Sequence, residues 1–129
     1  RGRADLAKHF LVSAVLTAAA GTPLSNVVGL SKEIDDSRGG SGFSFSDLAA
    51  DRAGTAFGSL AVAPGNPLQS RVDEPLREED LMPEVDGLAD NMPEPEFLER
   101  FGGVGSPAYS RVLAEIDRRI AACRLYRAS

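Results

Sequence analysis

The sequence predicts an all-α fold: a small bundle of three short N-terminal helices, followed by an extended, proline-rich acidic arm and a C-terminal helix. Three observations lead to this prediction. Apolar residues recur at the three- and four-residue spacing of helices, glycine and proline lie where each such pattern stops, and no apolar/polar alternation is long enough for a strand. We expect the 129 residues to form one domain with three parts, residues 1–62, 63–95 and 96–129.

The first helix is expected from about residue 4 to residue 20, because the stretch 21–23 (GTP) ends it. It is apolar on all sides from Phe10 onward, which predicts a central, buried helix. The second helix is expected to begin near Pro23 or Ser25 and to end in the glycine-rich stretch 37–42. We interpret that stretch as a turn, since no Lys-Ser/Thr pair follows the glycines as in a phosphate-binding loop.

The third helix has the clearest start. Ser44 stands three residues before Asp47, the spacing of a capping box, and Leu48 with two alanines follows. We expect this helix to end before Pro64. Asp47 therefore has a plausible role as a capping partner.

Six prolines between residues 64 and 95 alternate with acidic clusters, so this arm is expected to be extended, with one helical turn around 75–81. A short helix is predicted over 94–101, and Ser106 followed by Pro107 predicts the start of the last helix. Four arginines near its end suit the helix dipole and can also meet the acidic arm. The single cysteine, Cys123, is interpreted as a buried thiol.

Composition excludes some functions. The net charge is −5 and the acidic residues concentrate between Asp73 and Glu99, so a phosphate backbone would be repelled and nucleic acid is not an expected partner. The nearly apolar run 10–20 is about half the roughly 20 residues that a bilayer requires, so no transmembrane span is expected. The N-terminus does not resemble a signal peptide, and a start at Arg1 suggests a processed product or an excised domain.

Several charged residues lie on helix faces that are expected to pack against other helices. On the third helix, Asp47, Asp51, Gly54 and Gly58 follow at spacings of four, three and four, so they lie on one face. A helical glycine costs about 1 kcal/mol relative to alanine, so two on one face indicate that another backbone approaches closely. On the first helix, His9 shares a stripe with Asp5, Val12 and Leu16.

The second helix adds two carboxylates, Glu33 and Asp36, at i and i+3. Buried charges must pair, hydrogen-bond or bind a cation, and Lys32 and Arg52 are possible internal partners. One hypothesis is a site for Mn²⁺, Mg²⁺ or Zn²⁺; another is general acid/base chemistry by a carboxylate with a raised pKa. A third is that the side chains only cap helices and bond one another. The candidate metal ligands are His9, Glu33, Asp36, Asp47 and Asp51.

Three segments, residues 9–14 (HFLVSA), 29–38 (GLSKEIDDSR) and 40–51 (GSGFSFSDLAAD), together resemble the YfiM-like lipoproteins of bacterial envelopes. More distantly the pattern is similar to VanZ-type proteins, although the position of Asp51 differs. The resemblance covers roughly residues 4–60. It implies a bacterial origin and an extracytoplasmic, periplasmic or membrane-proximal setting, and it brings no mechanism with it.

The leading expectation is a noncatalytic, envelope-associated helical module. Its His/carboxylate cluster would organise the fold and hold a ligand or metal ion, and its partners would be envelope components or a larger parent protein. The alternative is a hydrolase of an envelope glycan or peptide, with Glu33 or Asp51 as acid/base and His9 as ligand or base. Because Asp47 has a capping explanation, His9, Glu33 and Asp51 are the principal candidates.

Overall fold

The computed structural model describes residues 3–39, 42–65, 67–72 and 75–127. These residues form seven α-helices and a final 3-10 turn: α1 (Arg3–Ala20), α2 (Thr22–Gly39), α3 (Phe45–Val62), α4 (Pro67–Arg71), α5 (Glu78–Leu81), α6 (Glu94–Phe101), α7 (Pro107–Ala122) and the turn Arg124–Tyr126. The all-α prediction is confirmed. Within the predicted turn 37–42, Gly40 and Ser41 lie outside the described residues.

The central helix of the N-terminal part is α3, in which 11 of 18 residues are buried. Helix α1 packs along it through one stripe only, which includes Leu6, Phe10 and Ala14. On its outer side Leu11 is 61% exposed and Val15 is 69% exposed. The prediction that α1 is central and buried on all sides is therefore wrong, because the neighbouring helices cover only one face of α1 and leave apolar residues of the opposite face exposed.

An aromatic core joins the N-terminal helices to the C-terminal ones. Phe43 stacks on Phe97 of α6 with ring centroids 4.1 Å apart, and Phe45 and Tyr109 meet the same rings at steeper angles. The backbone of Phe43 also exchanges two hydrogen bonds with Met92, at 2.7 and 2.9 Å. These contacts fix the start of α3 against the end of the arm.

The acidic arm follows the surface of the bundle and contains two short helices, α4 and α5, where the sequence predicted one. Arginines tether it from the C-terminal side. The Arg119 guanidinium donates to the carbonyl oxygens of Glu84 and Asp86, and Arg124 lies 3.0 Å from the Asp80 carboxylate. The predicted contact with the arm is confirmed for Arg119 and Arg124, whereas Arg118 pairs with Glu115 of α7.

The last two helices begin where the sequence predicts, and α6 also ends at Phe101 as predicted. The Ser106 hydroxyl accepts a hydrogen bond from the backbone N–H of Tyr109 at 3.1 Å, and Pro107 occupies the first turn of α7. Cys123 is buried directly after α7. None of the helices in the described part of the chain has both the length and the hydropathy that a membrane span requires.

Candidate metal centre

Close packing of α1 on α3 brings the polar residues together. A Cβ built on Gly54 would overlap the carbonyl oxygen of Phe10, and one built on Gly58 would lie 2.5 Å from the carbonyl oxygen of Ala14. The α1 backbone therefore lies directly against the glycine face of α3, as the glycine spacing predicts. One turn back on that face, Asp51 and Asp47 meet the stripe of α1 that carries His9.

Both nitrogens of the His9 ring face aspartates. Nδ1 lies 3.0 Å from Asp51 Oδ1, and Nε2 lies 3.4 Å from Asp47 Oδ2. Because an ionised carboxylate only accepts, the Nδ1–H donates to Asp51. The hydrogen bond with Asp51 raises the pKa of His9, and the charges of nearby carboxylates raise it further. Burial of the ring acts in the opposite direction but is outweighed. The imidazole is thereby held in one orientation.

Asp51 receives a second hydrogen bond, from the Ser13 hydroxyl to Oδ1 at 3.3 Å. Its other oxygen, Oδ2, is buried and has no hydrogen-bond partner among the described residues. A Cβ on Gly29 of α2 would lie 2.9 Å from that oxygen, so glycine at this position leaves the room that the carboxylate occupies. Burial raises the pKa of Asp51, although its hydrogen bond with His9 opposes the increase.

Glu33 is fully buried between α2 and the start of α3. Its Oε2 accepts a hydrogen bond from the backbone N–H of Ser44 at 2.7 Å, while Oε1 is buried and unpartnered among the described residues. Burial raises the pKa of Glu33 to about 8, and the charges of Asp47 and Asp51 act in the same direction. The side chain thus favours its protonated form at neutral pH.

The capping box predicted at the start of α3 does not form. The Ser44 hydroxyl makes no capping hydrogen bond with α3 and instead accepts one from the backbone N–H of Asn91 at 2.9 Å. In a capping box the N3 carboxylate, here Asp47, would bind the Ser44 N–H, but Glu33 occupies that donor. Asp47 faces His9 instead, because α1 and α3 pack so closely.

Three residues offer ligand atoms within 4.8 Å of one another: Asp5, His9 and Asp47. Asp47 is completely buried behind the imidazole, His9 is 8% exposed and Asp5 is exposed. Since His9 Nδ1 is engaged by Asp51, Nε2 is the nitrogen available to a cation. Asp51 therefore stands behind the histidine as a carboxylate that orients it, an arrangement common around metal-bound histidines.

Of the five ligands predicted from sequence, the structure brings four into one buried group: His9, Glu33, Asp47 and Asp51. Asp36 does not join them, because it is only partly buried and its carboxylate lies 3.6 Å from the ammonium of Lys32. Arg52 likewise turns away and forms two hydrogen bonds with Asp117 on α7. The two predicted internal cations are therefore paired elsewhere.

A cavity of about 350 Å³ opens in front of the cluster. Residues of α1 and α2 line most of it, and Asp51 of α3 lies at its base. His9 and Asp5 are in its wall, whereas Glu33 and Asp47 are not. Gly29 and Asp51 also border a second cavity of about 360 Å³ on the α7 side.

Sequence reasoning missed three contributors: Asp5, Ser13 and Gly29. Asp5 shares the stripe of His9, and that spacing was the available signal for it as a ligand. Ser13 follows His9 at i+4 on the same face, so it also carried a usable signal. Gly29 carried none, because its role depends on how α2 crosses α3.

Comparisons of the chain with protein-family models, with curated proteins and with solved structures give no match.

Proposed function

We propose that this chain is a noncatalytic helical module that binds a divalent transition-metal ion through Asp5, His9 and Asp47. The observation that carries the proposal is the grouping of these three ligand atoms within 4.8 Å, around a histidine whose other nitrogen is held by Asp51. Two carboxylates and one imidazole would leave coordination positions open, as in sites that take a further ligand.

The charge of the cluster also favours a cation. Three buried carboxylates, on Glu33, Asp47 and Asp51, surround a single imidazole. Three carboxyl groups are more acidic groups than a single imidazole can pair with, and buried charge is costly unless it is compensated. Among the described residues, Asp51 Oδ2 and Glu33 Oε1 have no hydrogen-bond partner, so hydrogen bonds within this part of the chain leave two buried oxygens unsatisfied. A divalent ion would supply the missing positive charge.

The donor set selects among metals. Imidazole nitrogen suits Zn²⁺ and other transition metals, whereas Ca²⁺ and Mg²⁺ prefer shells of oxygen alone. With one nitrogen and two carboxylates, Zn²⁺ and Mn²⁺ are the expected ions.

Calorimetric titration of EDTA-treated protein with Zn²⁺, and separately with Mn²⁺, tests the proposal. One saturable site is expected. Asp5→Ala should weaken binding by roughly 10-fold or more, while circular dichroism stays unchanged because Asp5 is exposed. The matched control is Asp35→Ala, which removes an exposed aspartate of α2 that does not line the cavity. Absence of a saturable site, or equal losses in both variants, would refute metal binding.

We further propose that the module works in the envelope of a bacterium, with envelope components or a larger parent protein as partners. The support is the resemblance of residues 9–14, 29–38 and 40–51 to YfiM-like lipoproteins. Sequencing the complete gene tests this setting. An export signal encoded ahead of position 1 is the expected finding, and fusion to a cytosolic enzyme domain would contradict it.

A metal-dependent hydrolase acting on an envelope glycan or peptide is the second candidate, favoured by the cavity beside His9. In this alternative His9 would hold the metal and Asp51 would act as the base. Glu33 is the weakest of the catalytic candidates, because it is fully buried and is not in the cavity wall. Hydrolysis of peptidoglycan fragments by the metal-loaded protein, lost in His9→Ala, would replace the noncatalytic proposal.

A further inference from the structure

We infer, on the basis of the proposed metal site, that the cavity between α1 and α2 binds a small carboxylate with an apolar tail, whose carboxylate completes the coordination of the metal ion. The metal ligands lie at one side of this cavity. Asp5 and His9 are in its wall and Asp47 is behind them, so the open coordination positions would face the cavity. A ligand entering it would reach the ion directly.

The cavity wall next to these ligands is apolar. Val12 and Leu16 of α1 face Val28 of α2 across the opening, and Val12 and Val28 are 55% and 44% exposed. Exposed apolar side chains lining a concave site are typical of ligand pockets. The volume of about 350 Å³ is near the lower end of the roughly 300–1,000 Å³ that such pockets span, which limits the tail to a short chain.

Two positive groups at the cavity, the metal ion and Lys8, would attract an anionic ligand. Lys32 is paired with Asp36 at 3.6 Å. Asp51 accepts the Nδ1–H of His9 at 3.0 Å, and with a neutral, metal-bound imidazole it keeps its own negative charge. A divalent ion bound by two aspartates and a neutral imidazole has no net charge. Lys8, in the cavity wall, forms no ion pair with a residue that the structure describes, so it and the metal ion are positive groups within reach of an entering ligand. A carboxylate between the metal ion and Lys8 would be attracted by both, whereas an ammonium group would be repelled.

The test uses octanoate as the probe, titrated calorimetrically into the full chain before and after loading with Zn²⁺. We expect octanoate to bind the Zn²⁺-loaded protein at least about tenfold more tightly than the metal-free protein. By linkage, saturating octanoate should strengthen Zn²⁺ binding by the same factor. Octylamine, with the same tail and the opposite charge, should not bind.

Two variants separate the cavity from the rest of α1. Val12→Asp places a negative charge in the wall and should weaken octanoate binding by about tenfold or more, with little effect on Zn²⁺ affinity. Val15→Asp makes the same change one turn along the helix, at a position that is 69% exposed and outside the cavity. This variant should bind octanoate as tightly as the parent does.

The outcomes distinguish the two proposals. Zn²⁺ binding with octanoate affinity that does not depend on metal, or that falls equally in the two variants, would overturn this inference and leave the metal site standing. Failure of Zn²⁺ itself to bind would overturn the proposed function, and this inference with it.

Discussion

Replacing Glu33 with glutamine should change how the free energy of unfolding depends on pH. The folded-state pKa of Glu33 is about 8, against 4.5 for an ordinary glutamate. Between these two pH values the unfolded chain has lost this proton while the folded chain still holds it. Stability from this group is therefore fully present below pH 4.5 and is lost as the pH rises toward 8.

The size of the effect follows from the two pKa values. Where the folded state binds one proton more than the unfolded state, each unit of pH changes the free energy of unfolding by about 1.36 kcal/mol. With pKa values of 4.5 and about 8, Glu33 should cost the protein on the order of 3 kcal/mol between pH 5 and pH 8. Glu33→Gln cannot ionise, and its amide oxygen can still accept from the Ser44 N–H.

Urea unfolding at pH 5, 6, 7 and 8, with EDTA present to exclude metal ions, measures this difference. As the pH rises from 5 to 8, the free energy of unfolding of Glu33→Gln should increase by about 3 kcal/mol relative to that of the parent. A residual slope of the same sign should remain in the variant, because the pKa values of His9 and Asp51 are also raised. The control Glu99→Gln, at an exposed position of α6, should parallel the parent. A difference between Glu33→Gln and the parent that does not vary with pH would refute the reasoning.

Three other substitutions test the packing, the site and the arm. Gly54→Ala should lower the free energy of unfolding by about 1–3 kcal/mol in urea titrations, because its methyl group would overlap the Phe10 carbonyl oxygen; a gain, as alanine normally gives in a helix, would contradict the close approach. Asp51→Asn should weaken Zn²⁺ binding by roughly 10–100-fold with helicity retained, and an unchanged dissociation constant would show that Asp51 does not orient His9. Arg119→Ala should speed amide hydrogen exchange around residues 84–88, since two carbonyl contacts are lost, and exchange unchanged there would show that the arm is held by other contacts.

Much of the fold follows from local chemistry that is visible in the sequence. The start of α7 depends on Ser106 and the adjacent Pro107, and a cap that bonds the N–H three residues later needs no distant partner. The wrong prediction for α1 has a different cause. Apolar residues on all sides of a helix indicate burial only if enough neighbours exist to cover them, and the number of neighbours is a property of the whole fold. Here α3 covers one side of α1, while Leu11 and Val15 stay exposed.

The candidate site could be predicted in part for the same reason. The glycines at 54 and 58 indicated close approach of a backbone, and that approach brings His9 to the aspartates of α3. Which carboxylate would bond which donor was not predictable, because the competition between Asp47 and Glu33 for the Ser44 N–H is decided by the position of α2. The separation of Asp36 from the group depends on the same position.

The contact between the α1 backbone and the two glycines of α3 also gives a sequence pattern by which other proteins with the same helix packing could be recognised. The residues that place the imidazole are spaced as Asp-x3-Asp-x2-Gly-x3-Gly, preceded by a helix with Asp-x3-His-x3-Ser. This double pattern is a more selective search query than either helix alone. A chain that keeps the aspartates and has a bulky residue at either glycine position would have to move its first helix outward, and we expect it to lack the site.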